Sequence, residues 1–125
     1  CCVMDARRSQ VYNALFEIRG GVPCRLTPDR AVSIAALEAE MKTYLKKSWI
    51  LLGDGAQLCY NALDKDALAL RLAPVGLRMQ CARGVGLAAL GTEPAPADEL
   101  LPVYLRLSQA ERERQERMQR QTTEN

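Results

Sequence analysis

The stretch Trp49-Ile50-Leu51-Leu52-Gly53-Asp54-Gly55-Ala56 decides the fold. Four apolar residues run together and stop at a glycine-bearing turn, the pattern of a parallel strand covered on both faces that feeds a helix. Parallel neighbours need crossover connections, so helices are expected on either side. Upstream, Ser33 is a good N-cap for a helix carrying Ile34, Leu37, Met41 and Leu45 at helical spacing, with Glu38 and Lys42 paired four apart. Downstream, a helix is predicted through Leu58, Tyr60 and Leu63, then a strand in which Leu68, Leu70 and Leu72 alternate and which Pro74 ends. Residues 76–90 read as a final core helix stopped by Gly91. Gly84 and Gly86 weaken that helix intrinsically, so close packing against a neighbour is expected.

The segment before Ser33 reads differently. Residues 1–5 are a buried strand closed by the turn Ala6-Arg7-Arg8-Ser9. Residues 10–18 form a second, with Tyr12, Phe16 and Ile18 on one face and Val11 and Leu15 on the other. Gly20-Gly21 turns the chain, and Val22 to Leu26 is a third strand that Pro28 stops. Strands joined by tight turns are antiparallel neighbours, whereas those joined through helices are parallel. The order therefore predicts an α/β protein with a mixed five-stranded sheet and helices on both faces. That is the ribonuclease H-like architecture of the actin-like ATPase superfamily, which by itself states no chemistry. Residues 91–102 read as a surface loop or clamp. Ser108 to Glu111 is a capping box opening a charged helix, Glu111 to Gln121, read as a solvated tail. The expected division is a domain over 1–107 and a helical tail over 108–125.

Composition narrows the functional classes. With 125 residues and 48% apolar content the chain buries one core. A net charge of +2, evenly spread, argues for neither nucleic acid nor a membrane surface as a direct partner, and no apolar run approaches a bilayer span. Five cysteines without a C-x-x-C pair suit neither a zinc ribbon nor a redox motif, and an odd number suits a secreted disulfide framework poorly. Cys59 and Cys81 fall among apolar residues in predicted helices and read as small buried hydrophobes in a reduced, cytoplasmic protein. The opening Cys1-Cys2-Val3-Met4 reads as a strand entered midway, in a chain that lost a leader or is a piece of a longer one. A lipoprotein anchored at Cys1 is a further reading.

The chain contains no histidine, which removes histidine triads, H-E-x-x-H zinc sites and histidine proton relays. Two constellations remain. The Gly53-Asp54-Gly55 passage lets a ligand approach the backbone and the amides of a helix N-terminus. Asp5 ends the first predicted strand, Asp54 follows the strand at Trp49 beside it, and Glu38 sits near the start of the intervening helix, places where ribonuclease H-like nucleases hold two divalent metals with carboxylates. Arg7 and Arg8 beside Asp5, and Lys42 beside Glu38, offer ordinary ion-pair partners for the same carboxylates.

Three stretches carry a family likeness. Asp5-Ala6-Arg7-Arg8-Ser9-Gln10-Val11-Tyr12 resembles the D-A-R-R-G-x-V-Y segment that opens the second half of TsaB proteins. Gly53-Asp54-Gly55-Ala56 resembles their G-D-G-A turn, and Pro102-Val103-Tyr104-Leu105-Arg106-Leu107-Ser108 their P-x-Y-L-R ending. The resemblance spans nearly the whole chain and implies the C-terminal half of a protein built from two ribonuclease H-like halves. It further implies a non-catalytic role in making threonylcarbamoyl-adenosine in tRNA, supporting TsaD together with the ATPase TsaE, chiefly through the other half. The older glycoprotease M22 label of relatives presumes a histidine-based metal site that this chain cannot build. Asp5, Arg7, Arg8, Gly53, Asp54 and Gly55 then occupy the positions of a degenerate nucleotide site. The first turn has no glycine to wrap a phosphate, Ser9 replaces the family's glycine, and Asp54 interrupts a Gly-Gly pair. No cofactor, no metal and no membrane are implied; tRNA is met only indirectly, and a homodimer is left open.

Overall fold

The structure, a computed structural model, describes residues 1–44, 47–106 and 114. In order, the elements are β1 (Cys2–Asp5), β2 (Gln10–Ala14), β3 (Phe16–Arg19), β4 (Val22–Arg25), β5 (Arg30–Ser33), α1 (Ile34–Met41), β6 (Trp49–Leu51), α2 (Ala56–Ala62), β7 (Leu70–Leu72), α3 (Val75–Arg78) and α4 (Ala82–Ala89). The fold is mixed α/β. The chain divides into two compact units, Cys1–Ala95 and Pro96–Asn125. Among the described residues of the second, the regular structure is a 3-10 turn at Ala97–Glu99 and a helical Arg114. The capping box at Ser108 and most of the predicted tail helix lie outside the described residues.

The first unit is organised by its strands. β1 and β5 flank β2, both antiparallel to it, while β6 and β7 pair parallel. A parallel bridge between Cys2 and Leu52 joins the two sets. The predicted second strand is interrupted at Leu15, whose carbonyl accepts from both Leu26 N (2.8 Å) and Thr27 N (3.4 Å). Leu15 N donates instead to the Thr27 hydroxyl at 2.9 Å. Opposite the two residues Ala14 and Leu15 the returning chain has four, Leu26 to Asp29. Pro28 sits in that segment, beyond the end of β4 at Arg25, so the third strand stops before it as expected. Pairing resumes in β5, an element the sequence reading did not foresee.

Ser33 caps α1 as expected, its hydroxyl accepting from Ala36 N at 3.1 Å. Ile34, Leu37 and Met41 face inward from α1, and Ala56, Cys59 and Leu63 from α2 and its cap. They close over Val3, Val11, Leu15, Trp49, Leu51, Leu68 and Leu70. Leu45, the remaining predicted core position of this helix, lies outside the described residues. The strand at Trp49 is buried on one face rather than two: Trp49 and Leu51 point into the core, while Ile50 is 47% exposed. Met4 is likewise exposed.

The predicted core helix over 76–90 is replaced by two short helices, neither with a buried residue. The break has a tertiary cause. Arg78 turns its guanidinium back onto the Ala73 carbonyl (Nε and Nη2, both 3.2 Å), and its own carbonyl accepts from Gly53 N at 2.7 Å. That carbonyl is therefore committed outside the helix, and Met79 and Cys81 are extended. Cys81 is exposed, contrary to its expected burial, whereas Cys59 is fully buried.

The β1–β2 turn is tight. Ala6 N donates to Gln10 O at 3.0 Å, and Gln10 N to Arg7 O at 3.1 Å. Arg7, Arg8 and Ser9 all adopt left-handed backbone, with φ of 63°, 53° and 56°. Each such L-residue costs about 1 kcal/mol or more relative to its preferred regions. Ser9 is also anchored, because its carbonyl accepts from Ile34 N at 3.1 Å and ties the turn to α1. Two predictions follow from these placements. Ser9→Gly is expected to raise unfolding free energy by about 1 kcal/mol, read by urea denaturation, since glycine occupies this φ without penalty. In timed thiol labelling followed by mass spectrometry, Cys81 should react before Cys59. Burial, and then the nearby Asp5 charge, push the Cys59 thiol up to about 11, so it stays protonated at neutral pH.

Candidate functional site

The six residues read as nucleotide-site positions are brought together by the structure. Asp5, Arg7 and Arg8 belong to β1 and the turn after it; Gly53, Asp54 and Gly55 form the turn between β6 and α2. The two segments lie against each other. Leu52 N donates to Cys1 O at 3.1 Å, Val3 N to Leu52 O at 2.8 Å and Gly55 N to Val3 O at 3.2 Å. The next donor along β1 is Asp5 N, which reaches the Asp54 side chain, Oδ1, at 3.1 Å. Asp54 thus supplies, from its side chain, the acceptor that continues the parallel ladder into the turn.

The glycines are required by this contact. Gly53 has φ +104°, and a Cβ placed there would meet Val3 O at 2.0 Å. A Cβ at Gly55 would meet Asp5 N at 3.0 Å and the Met4 carbonyl carbon at 3.1 Å. The backbone that approaches these glycines is therefore that of β1, where the sequence suggested a ligand. Asp5 is similarly engaged: Oδ1 accepts from Arg7 N at 2.7 Å, and Oδ2 pairs with the Arg7 guanidinium at 3.3 Å. That pair is largely solvated and contributes little beyond fixing the turn.

Glu38 is occupied elsewhere. Its Oε1 accepts from Lys42 Nζ and from Asp64 N, each at 3.1 Å, so it clips α1 to the chain after α2. The bond from Lys42, and then that from the Asp64 amide, hold its carboxyl below the usual range. Among the described residues, no group of three or more histidine, cysteine, aspartate or glutamate side chains is arranged to hold a metal ion. The Asp5–Glu38–Asp54 constellation is therefore not assembled as a metal site.

Sequence reasoning missed Arg78. It links the Ala73 carbonyl, the Gln57 side chain (3.4 Å) and, through its own carbonyl, Gly53 N. Nothing in its local sequence marks it, because its partners are brought close only by the fold. A cavity of about 400 Å³ lies apart from this region, lined by Met41, Lys42, Tyr44, Lys47, Trp49 and Leu68 among others. Its lysines already pair with Glu38 and Glu17.

The class so defined is a mixed α/β domain in which a glycine-lined strand–helix turn is closed by the first strand. No protein-family model matches the sequence. The chain is 32% identical over 111 residues to the tRNA threonylcarbamoyladenosine biosynthesis protein TsaB of Bacillus subtilis (strain 168), a match over 87% of the chain. It spans about half the length of that relative, 48%. The match agrees with the family resemblance read from the sequence: the chain is similar to about half of a TsaB protein. Among the described residues, no helix is long and apolar enough to cross a membrane.

The geometry makes a sharp prediction for the turn. Gly53→Ala should destabilise by roughly 3 kcal/mol or more, because the methyl collides with backbone and the positive φ is strained. Denaturant unfolding monitored by Trp49 fluorescence would show the midpoint falling sharply.

Proposed function

We propose that this chain is the C-terminal half of a TsaB-type protein with a ribonuclease H-like core. On this reading it acts without catalysis in forming threonylcarbamoyladenosine in tRNA. The strand order supports the architectural part: β5, β2 and β1 continue across the Cys2–Leu52 bridge to β6 and β7. The likeness to TsaB over most of the chain supports the pathway.

One observation carries the non-catalytic reading. The positions from which this turn would serve a nucleotide are engaged within the protein: Gly53 and Gly55 are closed against β1, Asp54 accepts from Asp5 N, the Gly53 amide donates to Arg78 O and the Asp5 carboxylate holds Arg7. The Gly55 amide donates to Val3 O, so it is directed at protein backbone. A chain built this way contributes surface and shape to an assembly, with TsaD and TsaE carrying the chemistry, and the cytoplasm is its expected location. Contact with TsaD is expected chiefly through the other half.

The test is reconstituted tRNA modification with TsaD and TsaE. The chain alone should not support modification, whereas the chain joined to the remainder of a TsaB-length protein should restore it. Arg8→Ala in the joined protein should leave the yield within about twofold, because the exposed turn arginine is not asked to touch substrate. Full modification with the protein omitted would remove the proposal. So would metal-dependent cleavage of RNA by the purified chain that Asp5→Asn abolishes.

A further inference from the structure

The least explained part of the first unit is α4. An eight-residue helix containing Gly84 and Gly86 is too short and too weak intrinsically to stand alone in water. Its sequence, Ala-Arg-Gly-Val-Gly-Leu-Ala-Ala, carries one charge and is otherwise apolar or glycine. Mapped onto a helix, Val85 lies on one side and Leu87 with Leu90 on the other, so the apolar surface runs nearly all the way round. A helix of that kind belongs inside a structure. Here none of its residues is buried, and Leu90 is 84% exposed. The preceding α3 repeats the pattern, with Val75 80% and Leu77 74% exposed.

The relative's length indicates what surrounds it. The chain matches 48% of TsaB of Bacillus subtilis, so a polypeptide of that length carries about as much chain again. A helix apolar on opposite sides needs a covering body that reaches around it, and a further domain supplies that more readily than a single edge or a short peptide. We infer that α4, with Val75 and Leu77 of α3, is the docking element for the other half of a TsaB-length polypeptide. The inference rests on the TsaB reading, but it concerns physical contact and stands apart from any effect on tRNA.

The experiment is hydrogen exchange, read by mass spectrometry over residues 82–90. It compares the chain alone with the chain joined to the portion of the Bacillus subtilis relative that it does not match. Amides of α4 should exchange freely in the chain alone and slow by about tenfold or more in the joined protein. Leu87→Glu with Leu90→Glu should abolish the slowing while leaving protection of β1 and β2 unchanged, which shows that the fold survives. Three results would overturn the inference. Protection of α4 in the isolated monomer would mean that it packs within its own chain. A concentration-dependent dimer by sedimentation, protected at α4, would assign the surface to a second copy. Free exchange of α4 in the joined protein would mean that the other half does not cover it. Because no modification assay enters, failure here leaves the proposed role in tRNA modification to its own test.

Discussion

Everything in the first unit depends on the parallel contact between β1 and the Leu52–Gly55 turn. The antiparallel strands and the β6–β7 pair are separate ladders apart from the Cys2–Leu52 bridge and the hydrogen bonds around it. The contact is close because two glycines remove the atoms that would keep the backbones apart. It is continuous because Asp54 supplies an acceptor where the turning backbone no longer does. Buried Val3 and Leu51 lie on the two strands that it joins, so the core and the junction form together.

That constraint also governs what the site can do. A glycine-rich turn ahead of a helix is chemically ambiguous: the same absence of side chains suits a phosphate or another strand. In this molecule the space is taken by Val3, Met4 and Asp5. The strained Arg7-Arg8-Ser9 turn completes the arrangement, held by Asp5 on one side and by the start of α1 on the other. Its left-handed residues are tolerated without glycine because these hydrogen bonds over-determine the path of the chain. The result is a corner closed by β1 rather than an open cleft.

The second half of the first unit behaves differently. Beyond Pro74 the helices are short, their apolar residues face outward, and Arg78 holds only the start of the segment against the turn at Gly53. The sheet likewise leaves Met4 and Ile50 open on the face away from the core. A sequence whose apolar content exceeds what its own fold conceals marks a place where further protein is expected.

Much was written in local sequence. The Ser33 cap, the apolar run at Trp49 and the glycine turn at Gly20-Gly21 each set an element by short-range physics, and each forms, whereas the strand read over 10–18 forms as two, broken at Leu15. That Asp5 would pair with a neighbouring arginine was also readable, and the turn selects Arg7 over Arg8. Three things were decided only by tertiary structure. Pro28 marks a strand end, and β4 does stop at Arg25, but the four residues Leu26 to Asp29 opposite Ala14 and Leu15, bridged by the buried Thr27 hydroxyl, let the chain pair again in β5. Residues 76–90 carry a helical apolar pattern, yet the Arg78 carbonyl is drawn to Gly53, 25 positions away, and the helix breaks. Finally, sequence shows that Gly53 and Gly55 permit close approach, but not what approaches. That choice belongs to the fold, because β1 reaches the turn from some fifty residues earlier in the chain, beyond the range of any local signal.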